Sequence, residues 1–155
     1  MKSLLFLFVM FLLTFSSIAQ TEKTLPVFDP THNPGVDLKA AVDLAQSTNK
    51  RIILDVGGEW CIWCHRIDAF IENNKDIKSL MDESFVVLKI NYSKENKNEK
   101  FLSQYPQVAG YPHFFVLDKD GKLLHSQNTG ELEKEKDYDK DKFMTFLNKW
   151  KQTKK

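Results

Sequence analysis

The feature that most constrains this chain is the segment 59–66, EWCIWCHR, which holds both cysteines of the sequence. It follows the apolar, β-branched run RIILDV at 51–56 and a Gly-Gly pair. Such a run predicts a short buried strand, which the two glycines end. Ile67, Phe70 and Ile71 follow at helical spacing and predict a helix to about position 73, so Cys61 is expected to begin a helix directly after the strand. Cys64 then lies one helical turn further on, close enough to Cys61 for a disulfide.

Two kinds of chemistry share this cysteine spacing. One is a redox-active pair beside a strand–helix unit, and the other is covalent haem attachment through C-x-x-C-H, with His65 as axial ligand. The haem interpretation needs a second axial ligand, for which the chain offers Met81, Met144, His113 and His125. A zinc site needs four ligands, and the sequence contains no second ligand pair. We therefore favour redox chemistry and expect neither a metal nor a cofactor.

The first 19 residues have the pattern of a secretory signal peptide. Lys2 is followed by an unbroken apolar run at 4–13, and Ser17 and Ala19 are small residues at the positions that a signal peptidase reads. The apolar run is short for a transmembrane helix, which needs about 20 residues. We expect cleavage after Ala19 and a periplasmic or secreted mature chain, in which two cysteines tend to pair.

Residues 20–155 are enough for one domain, and their charge argues against some partners. The formal net charge of the whole chain is +1. We therefore expect no binding of nucleic acid or of an anionic membrane, because both depend on neutralising phosphates. We divide the mature chain into an irregular lead-in at 20–35, a domain at 36–150 and a basic tail at 151–155, and we expect a monomer.

Helices and strands alternate along the predicted domain. The sequence predicts helices at 36–48, 61–73 and 76–81 and strands at 51–56 and 85–92. A loop with a helix follows, and Asp120-Gly121 between two apolar runs predicts a hairpin. The charge run GELEKEKDYDKDK at 130–142 is expected to be a solvated loop. The closing helix has its apolar residues at Phe143, Phe146, Leu147 and Trp150. This order predicts an α/β fold with a central mixed β-sheet flanked by helices on both faces.

At the start of a helix, Cys61 would have the surroundings of a reactive thiol. Unpaired N–H groups and the helix dipole favour an anion there, so the pKa of the thiol should fall below its free value of about 8.5. We expect Cys61 to be the exposed attacking thiol and Cys64 the buried resolving thiol. Asp55 lies within the apolar strand. Burial should raise the pKa of its carboxyl, which would let it exchange a proton with Cys64.

Pro112 begins an apolar strand in the segment AGYPHFF. A proline there removes a hydrogen-bond donor from the sheet and needs an explanation. A cis peptide bond between Tyr111 and Pro112 would supply one, by bringing this loop beside the cysteines. Backbone groups of the loop would then be free to pair with an extended substrate.

The segments IILDVGGEWCIWCH, SFVVLKIN, GYP and VLDKDGKLL together resemble the thioredoxin fold family, and exported thioredoxin-like domains in particular. The resemblance covers roughly residues 36–150. It implies a thioredoxin-like fold and a thiol–disulfide oxidoreductase. In that pattern Cys61 is the nucleophile, Cys64 the resolving thiol, Asp55 a proton relay and Pro112 the cis-proline of a substrate groove.

Three positions depart from the family pattern. Ile62 and Trp63 lie between the cysteines, where thioredoxins resemble one another in having Gly-Pro. These bulky side chains would shape the groove together with Trp60 and Tyr111. His65 stands where a lysine is usual, and its protonated imidazole would favour thiolates and make the pair more oxidising. We still favour a reducing role, because the strand aspartate and the Trp-Cys sequence resemble thioredoxin.

The resemblance therefore implies a protein-disulfide reductase or isomerase that acts on cysteine-containing exported proteins. A membrane thiol relay is the candidate electron donor. The alternative is a thioredoxin-fold binding or chaperone module whose disulfide is structural, because a fold does not fix a function. The exposure and reactivity of Cys61 separate these two interpretations.

Overall fold

The fold is described by a computed structural model, which covers residues 27–153. The predicted signal peptide at 1–19, the first part of the lead-in and the last two residues of the basic tail lie outside the described residues. Within the described part, none of the helices combines the length and the apolar character that crossing a membrane requires.

The chain alternates helices and strands as the sequence predicts. The helices are α1 (Pro34–Thr48), α2 (Ile62–Asn73), α3 (Lys75–Ser84), α4 (Glu99–Leu102) and α5 (Lys140–Trp150), and a 3₁₀ turn spans Thr129–Leu132. The strands are β1 (Arg51–Gly57), β2 (Phe85–Asn91), β3 (His113–Leu117), β4 (Leu123–Asn128), β5 (Glu133–Lys134) and β6 (Asp137–Tyr138).

Strands β1 to β4 form one mixed sheet in the order β2-β1-β3-β4. Strand β1 pairs in parallel with β2 and antiparallel with β3, and β3 pairs antiparallel with β4. The parallel pair needs a crossover, which α2 and α3 supply. The antiparallel pairing of β3 with β4 confirms the predicted hairpin. In the connection Gly121 has a φ of 86°, a conformation that favours glycine.

Different helices cover the two faces of the sheet, and β1 contributes to both because side chains alternate along a strand. Ile53 packs with buried residues of α2, α3 and α5. Ile52, Leu54 and Val56 pack on the other face with α1. Alternation places Asp55 on the face of Ile53, which α2 covers. The predicted α/β fold, with a central mixed sheet and helices on both faces, is confirmed.

Helix α1 begins at Pro34, two residues earlier than predicted. Asn33 is its N-cap and accepts the Gly35 N–H at 3.0 Å, and proline is favoured in the first turn of a helix. The lead-in also contributes to the core, because Phe28 is only 3% exposed. The short run before α1 shows no periodicity, so the sequence did not predict this contact.

The charge run at 130–142 is not the solvated loop that its composition predicts. It contains most of the 3₁₀ turn, the antiparallel β5–β6 pair and the start of α5. Leu132 and Tyr138 are each 5% exposed and pack in the core with α2 and α5. Strands of two residues are too short to show an alternating pattern. The sequence therefore did not predict that Leu132 and Tyr138 face inward, because each is surrounded by charged residues.

Candidate active site

The two cysteines form a disulfide at the N-terminus of α2. Their Cα atoms are 5.2 Å apart, within the usual range for a disulfide. Cys61 is the N-cap of α2, and its Sγ accepts the Cys64 N–H at 3.1 Å. On reduction, a thiolate at this Sγ would keep that hydrogen bond and would lie at the positive end of the helix dipole.

Cys61 is not exposed, contrary to the sequence prediction. The residue is 4% exposed, and Cys64 is wholly buried at 0%. Phe28, Trp63 and Tyr111 pack around the pair. Two features account for the difference. The N-cap position directs the sulfur toward the first turn of α2, and Phe28 from the lead-in packs against the same cluster.

Asp55 is buried, and a cation that sequence reasoning missed lies beside it. Asp55 is 3% exposed, and its register partner in the β1–β2 pair is Lys89. Lys89 Nζ is 3.3 Å from Asp55 Oδ2, and the Lys89 side chain is 5% exposed. Lys89 also donates to both carboxylate oxygens of Asp68 in α2, at 2.8 and 2.7 Å. One buried lysine therefore bridges two carboxylates.

Burial and the ion pairs set the charges of these groups. Burial raises the pKa of Asp55 from 3.8 to about 6, while Lys89 opposes the rise and Asp68 adds to it. Burial acts to lower the pKa of Lys89, but Asp55 and Asp68 outweigh it, so the pKa of Lys89 rises. Lys89 is therefore cationic at neutral pH, whereas Asp55 changes its charge close to neutral pH.

Asp55 lies on the sheet face covered by the helix that carries Cys64. Asp68 lies four residues after Cys64, so both project from the same face of α2. Asp55 lies on the sheet face that this helix covers, in register with the lysine that binds Asp68. Asp55 Oδ1 has no hydrogen-bond partner among residues 27–153 and is available to a proton.

Aromatic side chains border the disulfide. Trp60 and Ile62 are 58% and 60% exposed. The Trp60 indole N–H donates to the Tyr92 carbonyl at 2.7 Å, and its ring meets Tyr111 edge-on at 5.7 Å. Tyr111 stacks on Tyr92 at 4.8 Å. The predicted groove residues Trp60 and Tyr111 are therefore in contact, and the predicted groove residue Ile62 is exposed.

Pro112 and Trp63 depart in part from the predicted groove. The Tyr111–Pro112 peptide bond is cis, as predicted. The Pro112 carbonyl, however, accepts a hydrogen bond from the Thr129 hydroxyl and is not a free backbone group. Trp63 touches the cysteine cluster, but its ring also meets Tyr138 edge-on at 5.8 Å. Trp63 therefore links α2 to the β5–β6 pair.

His65 is bound to the loop that precedes Cys61. Its Nε2 lies 2.8 Å from the Glu59 carbonyl oxygen, and the side chain is 49% exposed. The Glu59 carboxylate lies 3.9 Å from the same nitrogen and also accepts the Phe28 N–H at 3.1 Å. His65 thus has a bonding role in this loop in addition to the redox role that its position predicts.

Three residues of the site were not predicted, namely Lys89, Asp68 and Phe28. The burial of Lys89 could have been predicted from the sequence. Side chains alternate along a strand, so Lys89 shares the inward face of β2 with Phe85, next to the strand that carries Asp55. The sequence indicates the position of Asp68 less strongly, through its place one helical turn after Cys64. No sequence pattern predicts the contacts of Phe28, because they depend on the path of an irregular segment.

Gly57 is a point of close packing between β1, the disulfide and Phe28. A Cβ on Gly57 would lie 2.5 Å from Cys64 Sγ and 3.0 Å from Phe28 Cζ. We expect Gly57→Ala to lower the free energy of unfolding of the oxidised protein by about 1–3 kcal/mol. Chemical denaturation would measure the change, with Gly110→Ala as control because a Cβ there meets no atom within 4 Å. Equal stability of the two variants would contradict this packing.

The side chains named for the haem interpretation make other contacts. His113 Nε2 is 2.8 Å from the Ser126 hydroxyl, and His125 stacks on Trp150 at 4.5 Å. Met81 and Met144 belong to the core on the α5 face of the sheet. Within residues 27–153, no three His, Cys, Asp or Glu side chains are grouped in a way that could hold a metal ion.

Comparison with known proteins identifies the family. Residues 32–119 match the family described as thioredoxin-like. The chain belongs to the thioredoxin-like family. Curated relatives of this thioredoxin-like chain include thiol:disulfide interchange protein DsbD of Actinobacillus pleuropneumoniae, which is 26% identical over 106 residues. Spermatogenesis-associated protein 20 of Rattus norvegicus is 31% identical over 92 residues.

These relatives are much longer than the thioredoxin-like chain. The match to DsbD covers 68% of this chain and 17% of the relative. The match to spermatogenesis-associated protein 20 covers 57% of this chain and 12% of the relative. The chain therefore spans less than a fifth of the length of the curated relatives it matches.

Solved structures with the same fold superpose over most of this chain and over nearly all of their own length. A disulphide isomerase from Xylella fastidiosa Temecula1 superposes with a TM-score of 0.68 at 23% identity, over 81% of this chain and 97% of that chain. The C-terminal domain of DsbD from Neisseria meningitidis, in its reduced form, superposes with a TM-score of 0.56 at 25% identity. That match covers 76% of this chain and 96% of the domain.

Proposed function

We propose that this thioredoxin-like chain is a thiol–disulfide oxidoreductase that reduces or isomerises disulfides in other proteins. The observation that carries the proposal is the Cys61–Cys64 disulfide at the start of α2, with Asp55 buried on the sheet face that this helix covers. A purely structural disulfide needs no titratable carboxyl beneath it, and burying one costs stability. The similarity to thiol:disulfide interchange protein DsbD supports the same activity.

In the reducing direction, the Cys61 thiolate attacks one sulfur of a substrate disulfide. A mixed disulfide forms between Cys61 and the substrate, and the other substrate sulfur leaves as a thiolate. Cys64 then gives its proton to Asp55 and attacks Cys61 Sγ, which releases the second substrate sulfur and re-forms the Cys61–Cys64 disulfide. Two electrons have passed to the substrate, so a dithiol donor must reduce the pair before the next cycle.

The proposed substrates are cysteine-containing exported proteins, and the proposed location is periplasmic or extracellular. The signal-peptide pattern at 1–19 supports this location. The proposed electron donor is a membrane thiol relay, since exported dithiols need a reductant that an oxidising compartment does not provide. The similarity to DsbD supports a donor of this class.

Two measurements test the activity and its direction. The protein should accelerate insulin reduction by dithiothreitol, and a rate no faster than that of dithiothreitol alone would refute the proposed activity. Equilibration of the disulfide with glutathione gives its reduction potential. A value of about −270 mV would support a reductase, and one of about −120 mV an oxidase.

A thioredoxin-like binding module with a structural disulfide is the second candidate. The 4% exposure of Cys61 favours it, because a reactive sulfur must be reached by its substrate. Iodoacetamide labelling of the reduced protein at neutral pH separates the two candidates. An oxidoreductase should show one cysteine that reacts faster than free cysteine, because a thiolate at the helix N-terminus is stabilised. Slow labelling of both cysteines would favour the binding module.

A further inference from the structure

Phe28 is a buried aromatic residue that the proposed reaction does not use. It lies in the segment 27–33 before α1, which we name the strap. Two hydrogen bonds hold the strap: the Phe28 N–H donates to Glu59 Oε1 at 3.1 Å, and Asn96 Nδ2 donates to the Pro30 carbonyl at 2.8 Å. The strap therefore has a fixed position even though it forms no helix or strand.

The Phe28 ring contacts the polar groups of the redox centre. Both Phe28 and Cys64 lie close to the point that a Cβ on Gly57 would occupy. Phe28 Cζ is 3.0 Å from this point, and Cys64 Sγ is 2.5 Å from it. Lys89 Nζ is 4.1 Å from the centre of the ring, a cation–π distance. Phe28 itself is 3% exposed. One ring therefore packs against both the resolving cysteine and the lysine that binds Asp55.

We propose that Phe28 is a positioning residue that closes the chamber around Asp55, Lys89 and Cys64 and keeps water out of it. The inference rests on the proposed function, because proton exchange between Asp55 and Cys64 matters only if the disulfide cycles. With water excluded, the ammonium of Lys89 stays with its two carboxylate partners. The proton of Cys64 then passes to Asp55 and not to bulk solvent.

Charged and titratable groups act on Asp55 from three of the elements around it. They are Lys89 from β2, Asp68 from α2 and Tyr138 from β6, whereas β3 places the uncharged Phe114 opposite Asp55. Phe28 carries no charge, and the Glu59 side chain that binds its N–H is 58% exposed. Phe28 therefore acts on Asp55 by excluding water, which makes the carboxylate form less favourable.

The titration of Asp55 in the oxidised protein tests the inference without requiring turnover. Carbon-13 NMR of the Asp55 carboxyl should give a midpoint of about 6 in the wild type. In Phe28→Ala water can enter the chamber, and the midpoint should fall by roughly one pH unit, a tenfold change in proton affinity. Phe28→Met keeps an apolar cover and should retain the wild-type midpoint. Phe85→Ala is the matched control, because Phe85 is also 3% exposed but packs in the core with residues of α3.

An unchanged Asp55 midpoint in Phe28→Ala, or an equal fall in Phe85→Ala, would overturn the inference. If Phe28→Ala does not fold, Phe28→Gln keeps the length of the side chain but places an amide in the chamber. The same fall is then expected, and an unchanged midpoint overturns the inference.

Insulin reduction by the same proteins separates the two proposals. A wild type without turnover, combined with the expected fall in the Asp55 midpoint, refutes the proposed function and supports closure of the chamber by Phe28. Turnover in the wild type with an unchanged midpoint in Phe28→Ala refutes the closure alone.

Discussion

Replacement of Cys64 by serine is expected to stop turnover and to leave the protein covalently joined to its substrate. Cys61 can still attack a substrate disulfide, but no thiol of the protein remains to resolve the mixed disulfide. We expect the catalysed part of insulin reduction to be lost, so that the rate falls to that of dithiothreitol alone. When the reduced variant is freed of dithiothreitol and then mixed with insulin, non-reducing electrophoresis and mass spectrometry should show the adduct at Cys61.

Cys61→Ser is the matched control for this experiment. It removes one sulfur as well, but the sulfur that remains belongs to Cys64, which is 0% exposed. This variant should lose turnover to the same degree and should form no adduct. Adducts of equal yield in the two variants would contradict the assignment of Cys61 as the attacking thiol.

Asp55→Asn is expected to slow the resolving step. An amide cannot accept the Cys64 proton, so disulfide re-formation from the mixed disulfide should slow by about 10²-fold at pH 7. Stopped-flow measurement with a mixed-disulfide substrate would give this rate. Asp68→Asn is the matched control, because it removes a charge from the same lysine and leaves Asp55 in place. An equal loss in both variants would contradict a role for Asp55 as the base.

The same substitution should change how stability depends on pH. The pKa of Asp55 is raised from 3.8 to about 6, so the folded protein holds this proton more tightly than the unfolded chain does. This contribution to stability is fully present below pH 3.8 and is lost as the pH rises through about 6. A shift of about two units corresponds to roughly 3 kcal/mol.

Asp55→Asn has no carboxyl to ionise at this position, so the variant does not lose stability as the pH rises through about 6. Lys89 keeps Asp68 as an ion-pair partner. The oxidised variant should therefore be more stable than the wild type by up to about 3 kcal/mol at pH 8. Most of the gain should disappear at pH 4. Chemical denaturation at the two pH values would measure it, and a gain that is independent of pH would show that Asp55 is not the group that titrates.

Local patterns were sufficient to predict the elements that carry the cysteines. Strand β1 is an apolar run interrupted by Asp55, because it is buried on both faces of the sheet, and the sequence shows that directly. An aspartate inside such a run has to be buried, so the environment of Asp55 could be inferred before its partner was known. Helix α2 followed from the spacing of Ile67 and Phe70.

The parts that sequence reasoning missed depend on contacts between distant segments. The strap meets the redox centre through Phe28, whose contacts at Glu59 and Lys89 are separated from it by tens of residues. The low exposure of Cys61 is a consequence of that packing and of its N-cap geometry. Tyr138 was missed for another reason, since single inward residues between charges show no period.

The hydrogen bond between His65 and the Glu59 carbonyl fixes which nitrogen of the imidazole carries hydrogen. A carbonyl oxygen can only accept, so Nε2 must be the donor. In the neutral ring Nδ1 is then the unprotonated nitrogen and can only accept a hydrogen bond. The His65 side chain thus joins the first turn of α2 to the residue two positions before Cys61.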